Sequence, residues 1–292
     1  ADQEGDRVHG PMTWRRHVVD VRPLRANAAF RDLWLGSSVG ALGMHVANLA
    51  VLLQVWEITR SAFWTGVIGL AVAAPLLVFG LVGGSLADAF DRRTVVALSA
   101  TGQLLAAMAL VAQAAAGAAS VALVLGLVAL QSTFNALGAP ARRTFPVRLL
   151  TPSQVASGIA LQSMAFQGAT LLGPAIGGVV LAEWGFTGAY GLHVVTALAA
   201  LAAVVRLPSL RPVQDGPPDD GVAPARRSAR GGWRIVLERP VLWGSFAADL
   251  AATVLAMPIS LFPLVNELRF DGNPRTLGLF LSAVAVGGLG AG

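Results

Sequence analysis

Cysteine and lysine are both absent from this chain, and charged side chains of every kind make up only 13% of its 292 residues. Without cysteine there is no disulfide and no thiolate metal site. Without lysine no Walker loop can be written, so ATP-driven transport finds no support, and His-Glu-x-x-His does not occur. No enzyme, cofactor or metal centre is expected. The scarcity of charge, against about 25% in soluble domains, and a hydrophobic content of 55% place the chain in a lipid bilayer. A large soluble helical core would need amphipathic helices with a polar outer face. Here several stretches instead run beyond about 18 residues almost without charge, enough to cross about 30 Å of hydrocarbon.

The expected fold is therefore all-α, a polytopic membrane helical bundle. Spans are predicted at 33–56, 63–87, 95–116, 121–139, 155–182, 190–207 and 241–265, with an eighth starting near Leu277. The polar, Arg-rich residues 1–32 read as a tail, and the span after them lacks the short apolar core and cleavage site of a signal peptide. Residues 33–207 read as a six-helix bundle. Residues 208–240, rich in Pro, Gly, Asp and Arg, read as a linker; its end, Trp233 to Arg239, is either an amphipathic turn on the membrane surface or a lead-in to the next span. Residues 241–292 begin a further bundle. The chain starts without methionine and stops inside an apolar run, so both ends read as cut.

All basic residues are arginines, and short arginine-rich loops stay in the cytoplasm. The tail, the second-to-third, fourth-to-fifth and sixth-to-seventh connections together hold 18 of them, whereas Arg60, Arg269 and Arg275 fall on the other side. This places the N-terminus inside, in a plasma (inner) membrane. The basic balance needs no nucleic-acid partner, because these arginines are dispersed among loops rather than gathered into one stripe.

Between two apolar runs stands Gly83-Gly84-Ser85-Leu86-Ala87-Asp88-Ala89-Phe90-Asp91-Arg92-Arg93. Asp88 lies at a helix C-terminus, where the macrodipole disfavours a carboxylate, so it needs a partner: Arg92, Arg93 or the N-terminus of another helix. Asp91 is placed to cap the following helix. Gly80 and Gly84, four apart, predict a groove for close helix contact. In the fifth span, Gly173-Pro174-Ala175-Ile176-Gly177-Gly178 combines a lost backbone donor with a thinned helix, a site for bending or close packing.

The loop resembles the signature between helices two and three of the major facilitator superfamily, with Gly84, Leu86, Asp88, Asp91, Arg92 and Arg93 in its positions. The element with Gly173, Pro174, Gly177 and Gly178 is similar to one associated with antiporters of that superfamily. Asn27 to Arg31, Gln54-Val55-Trp56 and Leu86 to Arg93 look most like its enterobactin-exporter and macrolide-efflux branch. Three departures stand out. Ala89 replaces a frequent basic residue and Asp91 a frequent glycine, and the fourth span contains no arginine, which leaves proton coupling open. The resemblance implies two six-helix halves, a signature Asp that engages helix eleven, and a cavity lined by helices one, four, seven and ten.

Polar residues inside spans are costly and mark pathways or interhelical contacts. His45 and Asn48 share a face of the first span, Gln131 and Asn135 a face of the fourth, and Asp249 lies within the seventh. An ionised Asp at mid-membrane costs about 2.5–3.5 kcal/mol. These five are the candidate substrate or proton pathway. For His45 a neutral imidazole satisfied by a neighbouring helix is the competing assignment, and for Gln131 and Asn135 an interhelical hydrogen bond. Gln162 and Gln167 read as packing contacts. The resulting expectation is a secondary active exporter of a small organic molecule, with a proton as co-partner. The alternatives are a non-transporting sensor, a partner-binding membrane protein or an inactive fragment.

Overall fold

The computed structural model describes residues 20–208, 244 and 259–291. After a short helix α1 (Arg22–Ala26), Asn27 opens α2 (Ala28–Thr59): its side chain accepts the Phe30 N–H at 2.9 Å and its amide donates to Leu149 O at 2.6 Å. The Asn cap thus satisfies one orphan helix donor and ties the helix start to the end of a short helix far along the chain. Arg60, in the left-handed region at φ 50, ends α2. Next come α3 (Ala62–Ala89), α4 (Arg92–Ala115), capped by Asp91 accepting from the Arg93 N–H at 2.8 Å, and α5 (Val121–Arg143), capped by Ser120. The short α6 (Phe145–Leu149) leads into α7 (Pro152–Val205).

Glycine is required inside α7 at Gly185, whose φ of 61 and ψ of −165 no L side chain adopts readily. The chain reverses there. Gly158, Thr170 and Gly177 of the first arm meet Phe30, His45 and Val46 in rising order along α2, whereas Tyr190, Thr196 and Ala203 of the second arm meet Gln54, Gly43 and Gly36 in falling order. The stretch read as spans five and six is thus one helix broken at a glycine. Beyond it, among the described residues, come a 3-10 turn (Ile259–Leu261), α8 (Phe262–Phe270) and α9 (Pro274–Ala291). The all-helical architecture agrees with the sequence-based expectation, and among the described residues five helices are long and apolar enough to cross a membrane. The tail up to residue 19, most of the linker and most of the seventh span lie outside the described residues.

Lipid on the outside removes water as the force that joins helices, so van der Waals fit and interhelical hydrogen bonds must do it. The outward faces carry Leu70, Leu77, Leu98, Leu105 and Val195, all more than half exposed. Between α2 and the second arm of α7, Gly36, Gly40 and Gly43 lie against Ala203, Ala200 and Thr196, close enough that an added Cβ would overlap each of them. At Gly80 and Gly84, where a groove is expected, an added Cβ would meet no described residue within 4 Å; the close approach among the described residues is at Gly83, where a Cβ would meet Ala136 O at 2.6 Å and Leu137 O at 2.8 Å. Four-residue spacing identifies a smooth face, but the adjoining residue is the one α5 meets. A second difference concerns α5, which runs through Pro140 and ends at Arg143. Arg142 and Arg143 therefore occupy its last turn, where cations complement the macrodipole, instead of a loop.

One fully satisfied polar network crosses the apolar core. Gln54 and Gln113 exchange two hydrogen bonds of 3.1 Å, and the hydroxyl of Tyr190, 0% exposed, donates to Gln54 Oε1 at 2.7 Å. It joins α2, α4 and α7. Gln54→Ala strands two buried partners, each costing about 1–3 kcal/mol when unpaired. The expected result is a clearly lower melting temperature for the purified full-length protein, with Tyr190→Phe giving a smaller drop; equal melting of Gln54→Ala and wild type would contradict the network's role.

Candidate functional site

At mid-height of the bundle α2, α5 and both arms of α7 bring their polar side chains inward. His45, half-buried, has its Nε2 3.1 Å from Thr170 Oγ1 and its ring 5.6 Å from the Phe166 ring centroid. It is thus satisfied by the first arm of α7. Gln131 lies half-buried on α5 with its amide nitrogen 2.7 Å from Nε2 of His193, a residue only 6% exposed. Asn48 is exposed and Asn135 half-buried. The four sequence candidates on α2 and α5 therefore do not form one hydrogen-bonded cluster: two bind α7 and two remain open to whatever fills the space beside them. Gln162 is half-buried and Gln167 exposed. Asp249 and the side chain of Asp88 lie outside the described residues.

Sequence reasoning missed His193. Nothing in a lone histidine within an apolar run signals a partner on another helix, although Thr196 three residues later marks the same face and its hydroxyl donates to His193 O at 2.9 Å. Tyr190, Gln54 and Gln113 were equally unpaired in the sequence.

The loop after α3 is anchored from its basic side. Arg93 donates to Val205 O, tying it to the end of α7, while Arg92 Nε is buried and has no partner among the described residues. Gly84 and Leu86 belong to the last turns of α3.

At the opposite end, marked by Trp56, residues from Ile259 onward dock on the bundle. Glu267 Oε2 accepts from Trp56 Nε1 at 2.7 Å and pairs with Arg60 at 2.5 Å, Arg275 pairs with Glu183, and Thr65 donates to Ser260 O at 2.8 Å. Beneath these bonds the glycine-proline element meets two helices at once. Gly173 and Gly177 lie against His45 and Val46 of α2, whereas a Cβ on Gly178 would meet Pro274 O at 2.7 Å and Gly278 of α9 lies against Pro174 O. The Trp56 indole, then Arg60, holds the Glu267 carboxyl below its usual range, against the opposing effect of burial. Its contribution is complete above the ordinary carboxylate pKa and is lost only as pH falls through the lowered value. The Glu267 carboxylate of the seam is therefore ionised at neutral pH. Among the described residues no group of His, Cys, Asp and Glu could hold a metal ion.

Comparison with known proteins places this geometry. The family model described as transmembrane secretion effector, a branch of the major facilitator superfamily, matches residues 19–292. The chain is 24% identical over 276 residues to the enterobactin exporter EntS of Shigella boydii and to that of Citrobacter koseri, and 23% identical to that of Escherichia coli. Each alignment covers 94% of this chain, which spans 65% of the length of these curated relatives. With its apolar helices and a family match that covers nearly all of it, the chain is a multi-pass membrane protein and belongs to the transmembrane secretion effector family of the major facilitator superfamily, a superfamily of membrane transporters rather than enzymes.

Proposed function

We propose that the protein is a secondary active exporter of a small organic molecule, siderophore-like or drug-like, exchanged for protons across the inner membrane by alternating access. The seam at the Trp56 end carries this reading. Every bond between the first bundle and the residues from Ile259 onward, among those described, lies at that end. The arginine bias puts the Arg93 end in the cytoplasm, so the seam closes the outer face and leaves the inner face for loading. This is the resting state an exporter needs, and the similarity to enterobactin exporters supports the direction. The division into a six-helix bundle, a linker and a second bundle belongs to the same reading, with the two bundles rocking around a midplane site.

His45, Asn48, Gln131, Asn135 and Asp249 are the proposed pathway residues. Asp249 is the proton acceptor or the counter-charge to a cationic substrate, because its carboxylate is too costly in a span to be there without work to do. In cells stripped of their own exporters, the full-length protein is expected to lower the retention of a catecholate siderophore or a fluorescent cationic dye. Asp249→Asn, at equal membrane abundance, is expected to lose most of that flux. Binding of the probe without flux in the wild type would favour a sensor, and an active Asp249→Asn would remove Asp249 from the mechanism.

A further inference from the structure

His193 has one ring nitrogen too many for the bonds around it. Nε2 faces the Gln131 amide, while Nδ1 is buried with no partner among the described residues. The arm of α7 that carries it is pressed onto α2, where a Cβ on Gly43 would lie 3.2 Å from its Cα, so the backbone that carries the ring is held in place. As placed, the amide nitrogen can only donate, and Nε2 must then accept. The ring proton is forced onto Nδ1, a buried donor without an acceptor. Half a turn of the amide exchanges its oxygen and nitrogen without changing its shape. Nε2–H then donates to the amide oxygen, and Nδ1, bare of a proton, needs no acceptor. Ring proton and amide orientation are one variable.

A neutral ring admits either arrangement, but a doubly protonated ring carries a proton on Nε2 and admits only the second. We infer that His193 is the positioning residue for Gln131: a neutral ring leaves the amide free to turn its oxygen to the transport pathway when a donor-bearing substrate draws it there, whereas a doubly protonated ring locks the oxygen inward and leaves only the donor NH2 facing the pathway. The inference rests on the proposal that α5 lines that pathway. A substrate held through its hydroxyl or ammonium donors binds to the oxygen; protonation substitutes a donor for that acceptor and releases it, which couples a proton to substrate release without any direct contact between the two.

Apart from Asp249, which lies outside the described residues, few ionisable groups on the helices packed around His193 compete for the proton. On α2 His45 stands alone between Asp32 and Glu57, α4 has none after Arg93, and α5 none before Arg142. On α7 the others are Tyr190, bonded to Gln54, Glu183, paired with Arg275, and Arg206 just past its end.

The test uses the full-length protein in lipid nanodiscs with no substrate added, isotope-labelled in histidine-ring and glutamine-amide nitrogens and followed by nuclear magnetic resonance. The signals of His193 and Gln131 are assigned by their loss in His193→Asn and Gln131→Leu. On acidification the His193 ring and the Gln131 amide are expected to shift with one shared midpoint. In His193→Asn the Gln131 signal should cease to follow pH, while His45 titrates as before. A Gln131 amide that stays fixed while His193 takes up its proton overturns the inference, as does a His193 ring that takes up no proton while the protein remains folded. Because no transport is measured, failure of the exporter reading would leave this result standing, and the reverse.

Discussion

Leucine in place of Gly278 is expected to pry α9 from α7 and stop transport while leaving the protein in the membrane. The obstacle is backbone, since a side chain at this position meets Pro174 O and the Gly178 Cα at 3.1 Å, and neither can swing aside as a side-chain tip would. Overpacking of this kind costs about 1–3 kcal/mol, and about 1.4 kcal/mol is a tenfold change in population. The closed seam should thus lose about tenfold or more of its occupancy. Thr65, 4% exposed and bonded to Ser260 O, reports on it. The chain has no cysteine, so Thr65→Cys gives one defined thiol within it. Its labelling by a membrane-impermeant maleimide should rise about tenfold in Gly278→Leu, with efflux falling in parallel. Unchanged labelling and normal efflux would mean that the seam is not part of the transport cycle.

Gly43→Ala is expected to weaken the bundle itself. Its new methyl group would overlap the Thr196 hydroxyl and stand 2.8 Å from Thr196 Cβ, and the helices must part or shift, at about 1–3 kcal/mol. Melting of the purified full-length protein should fall accordingly. Thr196→Gly in the same chain removes both obstructing atoms and should restore much of the loss, whereas Thr196→Gly alone should gain nothing. This cycle separates a steric contact between α2 and α7 from a general intolerance of change at Gly43. If Gly43→Ala melts like the wild type, the two helices do not approach as closely as described.

Long uncharged runs made the helices legible, because an apolar stretch of membrane-crossing length has few other uses. The reversal in α7 was legible too, since Gly185 falls between two such runs. Asp91 was recognisable as a cap from a local pattern alone. What escaped depends on register between helices. Gly36, Gly40 and Gly43 form the tightest stripe on α2, yet Gly80 and Gly84 have the same kind of spacing and touch nothing described. Only the partner helix distinguishes them. The pairings Gln54 with Gln113 and Gln131 with His193 join residues 59 and 62 positions apart, and no periodicity within one helix can find them. Charge misled once: Arg142 and Arg143 suggested a loop, although a helix end accommodates cations as readily as a loop does. Of the proposed pathway residues, those on α2 and α5 were visible as polar interruptions, but the bonds that His45 and Gln131 make to α7 were not.

Reconstitution of the full-length protein into liposomes, with an imposed pH gradient and a fluorescent catecholate as cargo, tests the central claim most directly. Exporter activity predicts movement of the cargo against its gradient, stopped by a protonophore and by Asp249→Asn, and stopped likewise by Gly278→Leu. Cargo that binds the reconstituted protein but never crosses, with or without the gradient, would contradict the account and leave a ligand-binding membrane protein in its place.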